Sequence, residues 1–229
     1  MGSTTLDIDA EAVAAELEGR TASEALEWMF ERFGADHLIA CSFQKTTSVV
    51  VHLATRINPD ARFFFLDTEV LFPETYRTRD ALAERFGVGF QSFRGLSLAE
   101  QARLHGDELW KRDPDACCGL RKVDPMRRAL ASVDCWVSGI RREDSSTRAG
   151  APKFAWDERF GLWKLNPLAD WSERDVWNHI REHEIPYNPL HDRGYPSIGC
   201  THCTQPVGPE GGPRDGRWVG TSKQECGIN

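Results

Sequence analysis

The chain is 229 residues long, 40% hydrophobic and 28% charged, which suits one sizeable core and excludes a chain disordered throughout. Its 28 Lys and Arg against 35 Asp and Glu leave a net charge of −7, so diffuse attraction to nucleic acid or an anionic membrane is excluded, and any anionic ligand needs a local basic cluster. No apolar run approaches the ~18 residues of a membrane-spanning helix, and the acidic start lacks the basic-then-apolar pattern of a secretory leader, so a cytoplasmic location is expected. Seven cysteines, odd in number and scattered, fit metal or catalytic thiols better than a disulfide framework.

In chain order, two helices are expected first, at 8–18 and 23–33, the second opened by a Thr21/Glu24 capping box. Residues 1–36 are read as an N-terminal helical segment serving as a lid or interface. From His37 short apolar runs alternate with amphipathic stretches: strand 37–41, helix 46–56, strand 62–66, helix 74–86, strand 89–93 and helix 98–105. Such alternation predicts βαβ crossovers and an α/β fold with a parallel twisted sheet flanked by helices. Further strands are expected at 135–138 and 162–165, and a Ser-capped helix at 172–183. After Pro186 the composition turns to Pro, Gly and charge. Residues 186–203 are expected to be a loop with little core, 37–205 the main domain, and 206–229 a flexible C-terminal arm carrying a cysteine.

Three groups of residues carry the chemistry. The run Ser42, Phe43, Gln44, Lys45, Thr46, Thr47, Ser48 joins a strand to a helix, where free backbone N–H groups and hydroxyls can hold an anion, although no glycine-rich phosphate fingerprint is present. Cys117 and Cys118 are adjacent, and Cys200 and Cys203 are separated by two residues. Thiolates so grouped select a soft metal, zinc or an iron–sulfur cluster, and the directly adjacent pair suits the larger cluster. Basic residues gather at Arg121-Lys122, at Gly139 with Arg141, Arg142 and Arg148, and at Arg214 and Arg217; guanidinium forks match phosphate or sulfate oxygens. Cys41 and Cys135, inside apolar strands, read as core, and His202 as a neighbour of the metal ligands. Trp156, Trp163, Trp171 and Trp177 read as packing. Cys226 is either an idle thiol or a nucleophile delivered by a mobile tail, and spacing alone does not choose.

Together, Cys117-Cys-Gly-Leu-Arg-Lys122, the 139–148 run, the 188–200 run and Glu225-Cys226-Gly227 resemble the assimilatory adenylyl-sulfate reductases, the iron–sulfur branch of the phosphoadenylyl-sulfate reductase family. Residues 66–76 resemble a further signature of that family, and the likeness runs from about His37 to the end. The resemblance implies an adenine nucleotide α-hydrolase-like fold and a [4Fe–4S] cluster on Cys117, Cys118, Cys200 and Cys203. It implies Cys226 as nucleophile toward adenosine 5′-phosphosulfate and Lys122 between cluster and substrate. It implies Arg148, Arg214 and Arg217 on the phosphosulfate, Gly139 near the adenosine, and the Ser42–Ser48 turn as a modified pyrophosphatase-type loop. Thioredoxin or a similar dithiol protein is the implied reductant; no nucleic acid or membrane partner is expected, and homo-oligomerisation is left open.

Three departures from the family pattern stand out, one being a nucleotide loop that reads Gln44-Lys45-Thr46-Thr47 where many relatives carry small and acidic residues. Asp67-Thr68-Glu69 replaces Asp-Thr-Gly, and the tail ends Ile228-Asn229 where relatives carry Leu-His. Reduction of the 3′-phosphorylated nucleotide is the rival in the same class, and relatives specific for it lack the paired cysteines. An RNA-thiolation enzyme would want a Ser-Gly-Gly-x-Asp-Ser loop and a basic face. A zinc-binding module would leave Cys226 and the arginines unexplained.

Overall fold

The computed structural model describes residues 8–228. A six-stranded sheet has the order β3-β2-β1-β4-β6-β5, formed by β1 (His37–Ala40), β2 (Phe63–Asp67), β3 (Phe90–Arg94), β4 (Cys135–Val137), β5 (Phe154–Asp157) and β6 (Leu162–Leu165). All neighbours run parallel except β5, which closes an antiparallel hairpin on β6. Helices α1 (Ala10–Glu18), α2 (Ala22–Phe33), α3 (Lys45–Ile57), α4 (Pro73–Phe86) and α5 (Leu98–His105) precede the short α6 (Leu109–Arg112) and α7 (Pro114–Cys118). Helices α8 (Asp124–Leu130) and α9 (Glu173–Glu182) complete the set. Among the described residues no helix is long and apolar enough to cross a membrane.

The two-residue period of the strands divides their side chains between two cores. Phe63 and Phe65 of β2, with Ile39 and Val137, face α2, α3 and α9, whereas Phe64, Leu38 and Trp136 face Met126, Ala129 and Leu130 of α8. The capping box at Thr21 and Glu24 forms as expected, and so does one at Ser172 and Asp175 that opens α9. The N-terminal pair is not a lid: Leu17, Ala25, Leu26 and Met29 are fully buried in the main core. Their apolar stripe has no other place to go, because α3 and β5 present matching apolar surfaces.

Sheet order fixes where a ligand can bind. The chain leaves β1 toward β2 and β3 on one side and reaches β4 on the other, so β1 and β4 flank a topological switch point. Loops after both strands open there, side by side at the carboxyl edge.

Four segments differ from expectation. Residues 186–203 are packed down, with Asn188, Leu190 and Ile198 buried, and a bridge between Leu71 and Cys200 ties the loop to the segment that follows β2. The hairpin strand β5 and helices α7 and α8 fall in stretches to which no element is assigned from sequence.

Candidate active site

A cleft of about 410 Å³ opens at the switch point. The loop after β1 reaches it through an unusual turn: Phe43 takes φ 56°, a strained conformation for a bulky residue. Its ring is held in the core against Phe65 and Phe90. Ser42, Gln44, Lys45, Thr46 and Thr47 thereby line the cleft, whereas Ser48 is buried behind it and back-bonds to Gln44 O. Gly139 lies across from them after β4. A Cβ there would sit 2.9 Å from Thr47 Cγ2 and 3.3 Å from Thr47 N, so only glycine allows this strand end to approach the start of α3 so closely.

Residues 188–198 lock this edge. Ile198 N–H donates to Gln44 Oε1 at 2.8 Å, and His191 Nε2 accepts the Lys45 N–H at 3.2 Å while its Nδ1 lies 2.8 Å from Tyr195 O. Burial and the nearby Lys45 bring His191 down to about 3, so the ring is neutral and can accept. Lys45 Nζ pairs with Glu173 Oε1 at 2.8 Å.

The basic residues divide by direction. Arg141, Arg148, Arg214 and Arg217 line the cleft, as does Lys122. Arg142 does not: its guanidinium donates to Ala151 O at 2.8 Å and to Glu18 at 2.5 Å, tying a surface loop to the end of α1. Arg141 is extended and the next residue starts a 3₁₀ turn, so the two neighbouring side chains diverge. Arg141 is itself saturated by Asp144 at 2.9 Å, Glu173 at 2.7 Å and Glu143 at 3.3 Å, which makes it a structural strut beneath the cleft. Burial and the adjacent Arg148 bring Arg214 down to about 10, the sign of crowded positive charge that an anion would relieve.

Beyond Lys122 lies a second, smaller cavity lined by Cys117, Cys118, Cys200 and Cys203. Asp113 caps α7 and Pro114 starts it, and a π-turn from Gly119 to Val123 follows, a device that redirects successive side chains. Lys122 lines both cavities. Burial alone would lower its ammonium, but the neighbouring Cys200, Cys226 and Cys118 outweigh it and hold it above the ordinary lysine range. Burial and mutual thiol repulsion push Cys117 and Cys203 up to about 11.

The residues present fit an iron–sulfur cluster. Four thiols come from two chain segments, and Thr68 Oγ1 lies 3.3 Å from Cys200 Sγ. The buried Trp218 Nε1 beside the cavity has no hydrogen-bond partner, a donor suited to cluster sulfur. His202 stacks on Trp110 with ring centroids 4.0 Å apart, covering the cavity rather than entering it. Neither α7 nor Trp110 is singled out from sequence, although Asp113-Pro114 is a recognisable helix start.

Cys226 is buried against Cys118 and Trp218. Burial would raise its thiol, but Lys122, the Ile228 backbone N–H and Arg217 outweigh it and hold it below the ordinary cysteine value. Arg217 stacks 4.4 Å above Trp218 and donates to Ser197 Oγ at 3.0 Å. Cys41 and Cys135 are core, as expected, and burial pushes both thiols far up. Glu69 sits at φ 59°, which accounts for glycine at that position in the family pattern. Its carboxylate leaves the cleft, accepting from Leu98 N at 2.8 Å and lying 3.5 Å from Arg121. Asn229 lies outside the described residues.

The cleft at the switch point is thus lined with cations, holds a thiol of lowered pKa and is backed by four further thiols. Residues 36–206 match the phosphoadenosine phosphosulfate reductase domain, and the chain belongs to that family. It is 45% identical over 231 residues to the adenosine 5′-phosphosulfate reductase of Rhodococcus erythropolis, covering 96% of this chain and 93% of the relative. It is 42% identical over 220 residues to that of Salinibacter ruber, covering 95% and 87%. Phosphoadenylyl-sulfate reductase from Candida auris, solved as a phosphate complex, superposes with a TM-score of 0.78 at 30% identity, over 89% of this chain and all (100%) of that one. FMN adenylyltransferase from Candida glabrata, at 14% identity and TM-score 0.59 over 90% of this chain and 67% of that one, shares the fold.

Proposed function

We propose that this enzyme reduces adenosine 5′-phosphosulfate to sulfite and AMP in assimilatory sulfate reduction, with Cys226 as nucleophile and thioredoxin or a similar dithiol protein as reductant. The observation that carries the reading is the meeting of Cys226, Lys122, Arg148, Arg214 and Arg217 in one cleft. Its context is a chain 42% and 45% identical to proteins of that name.

The Ser42–Thr47 turn and Gly139 hold the nucleotide at the start of α3, where backbone N–H groups favour its anionic part. The arginines and Lys122 offset the charge of a phosphosulfate and of a thiolate brought together. Cys226 Sγ attacks the sulfur, the S–O bond to phosphate breaks, and AMP leaves with the electron pair. The S-sulfonate on Cys226 is then attacked by an external thiolate. Sulfite departs with the pair from the S–S bond, Cys226 joins the partner in a mixed disulfide, and the partner's second thiol resolves it. Residues 206–229 act as an arm that carries Cys226 from the cleft to the partner. When bound, a [4Fe–4S] cluster on Cys117, Cys118, Cys200 and Cys203 joins residues 117–118 to 200–203 and adds its charge to the field around Lys122.

The test is direct competition between adenosine 5′-phosphosulfate and its 3′-phosphorylated form, with thioredoxin as donor. A strong preference for the former is expected; equal or inverted specificity constants would contradict the assignment. Anaerobically purified protein should carry about four irons and four sulfides per chain, whereas active protein holding one zinc would remove the cluster.

A further inference from the structure

Three histidines that line neither cavity meet where α3 and α9 pack side by side. His52 comes from α3 and is buried, His179 comes from α9, and His183 caps the C-terminal end of α9. His179 and His183 are four residues apart, and the His183 N–H donates to His179 O at 3.1 Å, so the two side chains stand on one face of a helical turn. Their ring centroids are 4.4 Å apart, and the centroid of His52 lies 5.1 Å from that of His179 and 4.7 Å from that of His183. His52 Nδ1 is 3.0 Å from His179 Nε2, a contact in which one nitrogen donates a proton and the other accepts it. Burial, reinforced by the neighbouring histidines, lowers both His52 and His179. Neutral imidazoles are the form in which histidine binds metal ions.

We propose that His52, His179 and His183 form a binding site for a borderline divalent metal ion of the zinc or nickel type, which clamps α9 to α3. Bonds of about 2.0–2.1 Å from one ion to two histidine nitrogens set those nitrogens about 3–3.4 Å apart, and the His52–His179 pair already has that spacing. An ion entering between them replaces the proton of the hydrogen bond, which leaves to solvent. Among the described residues no three such side chains converge on an ion position as they stand. His183, half-buried at the helix end, completes the set by turning its ring about the Cβ–Cγ bond. Donors that are all nitrogen select zinc or nickel over magnesium or calcium, which take oxygen. Phe86 and Trp171 wall the cluster, with centroids 5.6 Å from His52 and 5.4 Å from His179. Arg56 and Arg85 oppose the added charge and Glu182 favours it. The helices so joined begin at Lys45 and Glu173, which pair at 2.8 Å on the cleft, so the ion would brace the nucleotide loop from behind. Such a site does not depend on the reaction proposed for the cleft.

The test uses the untagged, cluster-bearing full chain, incubated anaerobically with one equivalent of zinc chloride and then desalted. Metal analysis should find about one zinc per chain beside the iron, and X-ray absorption at the zinc edge should show nitrogen neighbours at about 2.0 Å with imidazole outer shells. Zinc surrounded by sulfur at about 2.3 Å would mean that the thiols had taken it, and that result, like the absence of retained zinc, overturns the proposal. His52→Gln and His183→Gln should each weaken zinc binding by about tenfold or more in a chelator competition, since two imidazoles hold an ion less well than three. His183 is half-buried, so its variant keeps the test open if His52→Gln fails to fold. Undiminished affinity in either folded variant overturns the site. Excess zinc should raise the melting temperature of the unaltered chain by about 2–5 °C and leave that of His183→Gln unmoved; an equal rise in both overturns the clamp.

Discussion

Replacing Gly199 by alanine tests the role of Arg217 without touching it. A Cβ at Gly199 would stand 2.3 Å from Arg217 Nη2, 2.7 Å from its Cζ and 3.2 Å from its Nη1, so the guanidinium must retreat by roughly 1 Å or more to reach ordinary contact. It then loses the bond to Ser197 Oγ and its seat above Trp218. Misplacing a charge-assisted contact of this kind costs about 1.5–3 kcal/mol, and about 1.4 kcal/mol is a factor of ten in rate. The expected loss in kcat/KM is therefore about 10- to 100-fold. Only the far end of a flexible side chain moves, so the melting temperature should fall by no more than about 2–4 °C. Sulfite release with thioredoxin measures the first quantity and a thermal scan the second, with iron content checking that the neighbouring Cys200 still binds. Activity within about twofold of the unaltered enzyme would refute the placing of Arg217 on the substrate.

Two further outcomes follow from strain and from buried histidines. At Glu69, alanine keeps the unfavourable φ and loses the bond to Leu98, whereas glycine relieves the strain; Glu69→Ala should be less stable than Glu69→Gly by about 1 kcal/mol in urea unfolding, and the reverse order would contradict the account. His52 lies 3.0 Å from His179, with the tilted ring of His183 4.7 Å away, centroid to centroid. Burial first, then His179, His183, Arg56 and Arg85, bring His52 down to about 4, and burial also lowers His179. The unfolded chain takes up these protons near about pH 6.5 and the folded chain does not. Their contribution to stability is thus present above that pH and is lost as pH falls toward about 4. In His52→Gln the urea midpoint should decline less steeply between about pH 7 and about pH 4.5; an unchanged slope would contradict it.

Periodicity made the parallel half of the sheet legible, because β1, β2 and β3 are short apolar runs set between amphipathic helices of ordinary length. β5 escaped since only Phe154 of its four residues is fully buried while Trp156 faces out, which leaves no run to see. Helices α7 and α8 were hidden by the cysteine motif that spans their junction. At the site, residue types named the chemistry well, but direction is a property of the backbone. Arg141 and Arg142 are equivalent in sequence, and one 3₁₀ turn sends the second away from the cleft. Ser48 shares its run with six cleft residues yet lies one helical position too far round. The burial of residues 186–203 was equally out of reach, for it depends on polar locks such as Gln44 with Ile198 and His191 with Lys45, made across about 150 residues of chain.

The central claim is that Cys226 attacks the sulfonyl sulfur, and trapping the intermediate tests it most directly. Cluster-bearing enzyme incubated with adenosine 5′-phosphosulfate and no reductant should gain one sulfonate, found by mass spectrometry on the peptide holding Cys226 and released as sulfite when thioredoxin is added. Cys226→Ser should keep its iron and bind nucleotide, yet form no adduct and no sulfite. An adduct on Cys41 or Cys135, or substantial turnover by Cys226→Ser, would contradict the account.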